Sequence, residues 1–356
     1  MRSLLALALP FVIPASAGVT AFGLEAQQHN VTVTKEQSPA PRLQHRLGQG
    51  AIIFGSGRQS AFNTFGTEAG WLAGLTGWMV VGAVVIAAAV GVLMFTAQRS
   101  REGALTHRQG MRLVLWAGGV VPTVVLLTLL IATLPAMRPI RVQPDDLRVT
   151  VTGEQFWWRV RYQPPRQAAV DDSNELRLPV GRDVELLLEA GDVLHSFWVP
   201  GLAGKLDMVP GRTNKLVVHA TRAGRFRGQC AEFCGLSHAL MAFDVVAMEP
   251  AAFDAWLAAR RAPATVVGEG ARLFAANGCG GCHAVAGVAG GAIGPDLTYL
   301  GRRPSLGAGM QKLTHANLVR FIRNAPGVKP GARMPAYPQM TTQDAATIAR
   351  WLEQPR

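Results

Sequence analysis

The sequence predicts a multidomain chain built from a two-helix transmembrane hairpin, an all-β sandwich and a small all-α domain, in that order. Three observations carry this expectation. Two apolar runs, residues 71–96 and 113–137, contain no charged residue. From about 145 to 246 the pattern changes to short runs of β-branched and aromatic residues separated by Gly and Pro. After 262 the composition turns Ala- and Gly-rich with helical spacing.

Residues 1–17 read as a secretory signal peptide, with Arg2 as the positive end, an apolar core from Leu4 to Ile13 and Ala15-Ser16-Ala17 as the cleavage site. Residues 18–70 lack apolar periodicity and are expected to be mostly irregular, with no chemistry. Each apolar run exceeds the roughly 20 residues that one bilayer crossing needs, and a membrane helix tolerates Pro122 where neighbouring groups satisfy the freed carbonyl. The loop at 97–112 carries Arg99, Arg101, Arg108 and Arg112 against Glu102 alone. The positive-inside rule therefore makes it cytoplasmic and turns both ends of the hairpin outward. The net charge of +12 and pI near 10.5 do not indicate nucleic acid, because the basic residues are scattered and no basic run is interleaved with aromatics.

Strands are expected at 147–152, 156–162, 175–178, 184–189, 215–219 and 243–248, forming a sandwich or barrel over 145–262 with a trailing helix at 250–261. Within it, Cys230-Ala-Glu232-Phe-Cys234-Gly-Leu-Ser-His238-Ala-Leu-Met241 brings two thiols, an imidazole and a thioether into twelve residues. Sulfur with imidazole selects copper, zinc or iron-sulfur clusters. Two thiolates can bridge two coppers, each with one His, if Met241 caps one metal and a backbone carbonyl the other. His195, read as ending one strand, is the candidate second imidazole. A tetrahedral zinc site using the two Cys and two His is the competing reading, although it leaves Met241 without a part.

The remaining domain, 263–356, is expected to hold helices near 267–276, 314–324 and 342–353, with Thr342 as the last N-cap. Cys279-Gly-Gly-Cys282-His283 is the c-type haem attachment motif. Its two thiols suit thioether bonds to one porphyrin edge, and its His suits the iron. A methionine on the far side would raise the reduction potential. Met310, Met334 and Met340 are candidates, and Met334 is preferred because Pro330-Gly-Ala-Arg-Met334-Pro335 is a stiff, helix-free loop. The four cysteines fall in two close pairs, which fits cofactor attachment better than a disulfide framework.

These residues together resemble cytochrome c oxidase subunit II with a fused C-terminal cytochrome c domain, from the cytochrome-c-fused haem-copper oxidases. The likeness rests on the hairpin, Gly153-Glu-Gln-Phe-Trp-Trp158, the stretch from Asp192 to Arg212, the Cys230 to Met241 loop, and Cys279 to His283 followed by Gly294-Pro295-Asp296-Leu297 and Met334-Pro335. It implies a cupredoxin-like sandwich and a class I cytochrome c domain. It further implies dinuclear copper A on His195, Cys230, Cys234, His238, Met241 and the Glu232 carbonyl, and covalent haem c on Cys279, Cys282, His283 and Met334. A magnesium site shared with the catalytic subunit would involve the Glu232 side chain.

By the same resemblance, electrons pass from haem c to copper A and on to haem a in subunit I, where dioxygen is reduced with proton pumping. Phe156, Trp157 and Trp158 form the patch that receives electrons. Implied partners are subunit I, further oxidase subunits, and cytochrome c or a quinol-oxidising complex as donor, with both soluble domains on the outer side of a bacterial inner membrane. Two positions depart from the family pattern: Phe156 stands where Trp is common, and no acid lies between Arg112 and Asp145. A quinol oxidase subunit lacks the copper ligands kept here, nitrous oxide reductase needs a propeller this chain has no room for, and a copper-assembly module has no use for a covalent haem.

Overall fold

The computed structural model describes residues 57–101, 103–137, 142–262 and 266–354. The expected signal peptide and most of the following segment lie outside the described residues. Helix α1 (Thr67–Arg99) extends past the apolar run at both ends. The reading of 18–70 as irregular is corrected at 67–70, which are helical; residues 57–66 hold turns and bends without a regular element, and they strap onto the sandwich before α1 begins. Phe65 is 1% exposed and stacks on Phe226 with ring centroids 3.5 Å apart, and the Phe65 and Gly66 amides both donate to the Gly201 carbonyl. The hydrophobic effect explains the strap: a Phe with no membrane around it gains by covering the sheet.

The second run starts six residues earlier than expected, because Thr106 and Gln109 form a capping box ahead of α2 (His107–Leu113). A π-helical stretch, Val114–Val120, then leads into α3 (Val121–Thr133). The Val121 amide reaches back to the Trp116 carbonyl. This wider turn lies immediately before Pro122, where a ring without an N–H would clash with a regular helix. By length and composition α1 and the stretch His107–Thr133 are both able to cross a membrane.

Two five-stranded sheets make the sandwich. One has the order β3-β2-β1-β5-β8 and the other β4-β10-β9-β6-β7. The strands are β1 (Leu147–Glu154), β2 (Trp157–Gln163), β3 (Val170–Ser173), β4 (Glu175–Pro179), β5 (Asp183–Ala190), β6 (His195–Trp198), β7 (Leu206–Met208), β8 (Asn214–His219), β9 (Gly224–Cys230) and β10 (Ala242–Met248). In β2 the period of two sends Trp158, Val160 and Tyr162 into the core, where Trp158 meets Phe243 and Phe197. Helix α4 (Pro250–Arg261) closes the far end with Phe253 and Leu257 buried. His195 begins β6 rather than ending a strand, since β6 pairs with β9 and β7 only from that residue onward.

The C-terminal domain packs α5 (Glu269–Ala276), α6 (His315–Arg323), the short α7 (Ala325–Val328) and α8 (Thr342–Leu352) around Phe274, Ile348, Trp351 and Leu352. Thr341, not Thr342, caps α8: its hydroxyl accepts from the Asp344 amide. The domain lies directly on the sandwich. Arg303 donates to the buried Asp172 at 2.7 Å, Arg227 to the Gly309 carbonyl at 2.8 Å, and the Ala242 amide to the Ala308 carbonyl at 2.9 Å. Strand β10 is consequently buried along nearly its whole length.

Replacing Phe65 with Ala is expected to cost about 3–5 kcal/mol, the range for deleting a buried aromatic. Denaturant unfolding of the detergent-solubilised chain, followed by near-UV circular dichroism, measures it; an unchanged midpoint would mean that the strap is not part of the core.

Candidate copper and haem sites

The loop from β9 to β10 brings the sulfur and imidazole donors together. Cys230 Sγ lies 3.8 Å from Cys234 Sγ, 3.8 Å from His195 Nδ1 and 3.1 Å from the Glu232 carbonyl. Cys234 Sγ in turn lies 3.7 Å from His238 Nδ1 and 3.8 Å from Met241 Sδ. Two donors on a common tetrahedral metal with bonds near 2.3 Å stand about 3.7 Å apart, so these spacings fit metal binding. Each imidazole faces a different sulfur. His238 stands outside the cluster of His195, Cys230 and Cys234, whose donor atoms lie within 4.8 Å of one another. That division suits two metals bridged by two sulfurs better than one tetrahedral zinc.

The surroundings hold these donors in place. Gly153 is needed because a Cβ there would come within 2.8 Å of the His195 ring, which is fully buried. Gln155 Nε2 donates to the Cys234 carbonyl at 2.5 Å. The sulfur pair shares one proton unequally: contact with Cys234 brings Cys230 down to about 3, with His195 adding to the effect, while the Cys230 sulfur pushes Cys234 up. A ready thiolate is the form that binds metal. Burial opposes a charge on His195, yet Cys230 and Asp192 together hold its pKa above the usual value.

Asp192 is a residue that motif reading passed over. Its Oδ1 accepts from His195 Nε2 at 2.9 Å and from the Val193 amide, while Oδ2 accepts from the Gln155 amide and from Arg333 at 3.0 Å. Burial alone would raise its pKa; the hydrogen bonds from His195 and the two amides bring it below the ordinary carboxylate range. A carboxylate on the remote nitrogen leaves Nδ1 as the metal-facing atom and fixes the ring. Lys329 was also missed. It is 3% exposed, its Nζ donates to the carbonyls of Phe156 (2.7 Å), Gly307 (2.7 Å) and Leu240 (3.1 Å), and burial draws its pKa down to about 7.

The second site is a cavity of about 190 Å³ lined by Cys279, Cys282, His283 and Met334 with apolar walls that include Phe274, Leu297, Leu318 and Tyr337. His283 Nδ1 donates to the Pro295 carbonyl at 2.8 Å. Burial holds the imidazole pKa low, so a neutral ring presents Nε2 as a ligand. Gly294 makes room for that ring: a Cβ there would lie 2.6 Å from it. Apolar walls, paired thiols and a fixed neutral imidazole fit a covalent haem. Among the described residues Met334 is the methionine in the wall; Met340 is buried in the helical core and Met310 lies beside Gly307.

Glu154, Gln155, Phe156 and Trp157 of the sandwich also line this cavity. Of the three expected patch aromatics, Phe156 and Trp157 reach it. Trp158 does not: it is fully buried and packs towards His195, at 6.4 Å between ring centroids, because neighbouring strand residues point to opposite faces. Glu232 is half-buried at the loop edge, and its neighbours Phe233 and Leu236 are 75% and 82% exposed.

Residues 147–248 match the family described as "Cytochrome C oxidase subunit II, periplasmic domain", and residues 267–355 match "Cytochrome c". A cytochrome c oxidase subunit 2 of Alkalihalophilus pseudofirmus is 42% identical over 216 residues, 59% of this chain, and the match spans 62% of that relative's length. The corresponding proteins of Bacillus sp. strain PS3 and Bacillus subtilis are 33% and 30% identical, over 65% and 66% of this chain and 68% and 69% of their own.

Substituting Gly153 with Ala drives a methyl into the His195 ring, and copper affinity is expected to fall about 10–100-fold, as for other changes that displace a ligand's support. Metal analysis after dialysis against a graded chelator measures this, with covalent haem content as the control. Equal copper retention would show that the ring has room to move.

Proposed function

The chain belongs to the cytochrome c oxidase subunit II family, and from that premise we propose that it is the electron-accepting subunit of a respiratory terminal oxidase. When bound, haem c and dinuclear copper A would supply its one-electron carriers, and electrons would leave for haem a of subunit I, where dioxygen would be reduced to water with proton pumping. The observation that carries this reading is the alternation His195–Cys230–Cys234–His238, in which each imidazole stands beside a different sulfur of a pair 3.8 Å apart.

In this reading His195, Cys230, Cys234, His238, Met241 and the Glu232 carbonyl would hold copper, and Cys279, Cys282, His283 and Met334 would hold the haem. The chain's own residues keep those donors still. Asp192 orients His195, Pro295 orients His283, and Gln155 steadies the copper loop through the Cys234 carbonyl. Donors whose positions do not change between oxidation states add little reorganisation to electron transfer.

Phe156 and Trp157 line the haem cavity, so the tethered cytochrome domain covers the face through which a soluble donor would reach copper. The external donor, a cytochrome c or a quinol-oxidising complex, accordingly delivers to the cytochrome domain. The exposed Phe233 and Leu236 on the copper loop supply an apolar contact for subunit I, and the half-buried Glu232 beside them is the residue for a shared magnesium ion. The two apolar helices anchor the chain in a bacterial inner membrane with both cofactor domains on the periplasmic side, as the arginines between the helices support.

Purified protein supplied with copper is expected to contain two coppers and one covalent haem per chain and to give the EPR spectrum of a mixed-valence pair; zinc in place of copper, or haem that extracts into acid acetone, would overturn the reading. Met334→Ala is expected to lower the haem potential and open the iron to carbon monoxide. An unaltered optical spectrum would move the axial ligand elsewhere.

A further inference from the structure

Arg333 precedes the haem methionine in sequence, yet its charge is spent on the copper domain. Its guanidinium donates to Asp192 Oδ2 at 3.0 Å, and the other oxygen of the same carboxylate accepts from His195 Nε2 at 2.9 Å. Asp192 is therefore shared between a copper-binding imidazole and the loop that presents the haem methionine. The carboxylate is 10% exposed and takes two further donors, the Gln155 and Val193 amides, so it is fixed in place. The loop is fixed as well: Lys329, four residues earlier, is bound to carbonyls on both domains, and Ser237 of the copper loop donates to the Pro330 carbonyl at 2.6 Å.

We propose that Arg333 is a positioning and tuning residue for copper A, acting through Asp192, so that docking of the cytochrome domain sets the electronic character of His195. The proposal rests on the copper and haem reading above. A carboxylate on the remote N–H makes a metal-bound imidazole a stronger electron donor and favours the oxidised metal. A cation on the carboxylate's other oxygen opposes that pull. Removing the cation strengthens the donor and lowers the copper potential, whereas removing the carboxylate charge raises it. Arg333 is 58% exposed, so its influence weakens as salt is added.

The test uses the detergent-solubilised, copper- and haem-loaded chain and four variants, R333Q, R333K, D192N and the double variant R333Q/D192N. Copper and haem counts come first: a wild-type chain without two coppers refutes the copper reading itself, separately from this proposal. With both cofactors present, R333Q is expected to lower the midpoint potential of the copper pair and change its EPR hyperfine pattern, R333K to restore most of the potential, and D192N to raise it. In the D192N background R333Q is expected to produce no further shift. The gap between wild type and R333Q should narrow as ionic strength rises. An unchanged potential and EPR spectrum in R333Q, or shifts from the two substitutions that simply add, overturns the proposal. If D192N fails to retain copper, R333Q, R333K and the salt series decide it.

Discussion

The side-chain amine of Lys329 is held by three backbone carbonyls: one before β2, one in the copper loop and one in the cytochrome domain. A buried amino group is tolerated only where its N–H donors are met, and three carbonyls lie within reach of this one. Losing an acceptor would leave a buried polar group less well satisfied, so the three segments are held in their relative positions. The copper loop, the Phe156 turn and the wall of the haem cavity are tied to one atom. Arg303 does the same at the other edge of the contact, where Asp172 on β3 accepts from it and pairs also with Arg260 of α4.

What could be read from sequence depended on distance along the chain. The copper loop places four donors within twelve residues, and the haem motif three within five, so chemistry is visible before any fold is known. Met334, nominated because Pro330 and Pro335 confine the loop around it, lies in the cavity wall. By contrast Asp192 and Arg333 are 141 residues apart and Lys329 lies 173 from Phe156; no local pattern announces such pairs. A solvated arginine and a half-buried clamp look alike in a sequence.

The strands that escaped notice share a physical cause. In β9 the sequence Gly-Arg-Phe-Arg-Gly-Gln-Cys buries only one large apolar side chain, Phe226, because glycines at 224 and 228 yield their space to the rings of Phe226 and Phe243. In β3 the inward residue Asp172 is acidic, which makes the strand look like a turn until its two arginines are seen. Both cases are tertiary contacts overriding a local preference. The strap at 57–66 was missed for the opposite reason, since its single anchoring aromatic makes no periodic pattern at all.

The haem cavity takes part of its wall, Glu154 to Trp157, from a strand and turn of the other domain. A haem held there as proposed would touch both domains, so its surroundings would depend on how closely the sandwich lies against the cytochrome domain as well as on the cytochrome domain itself.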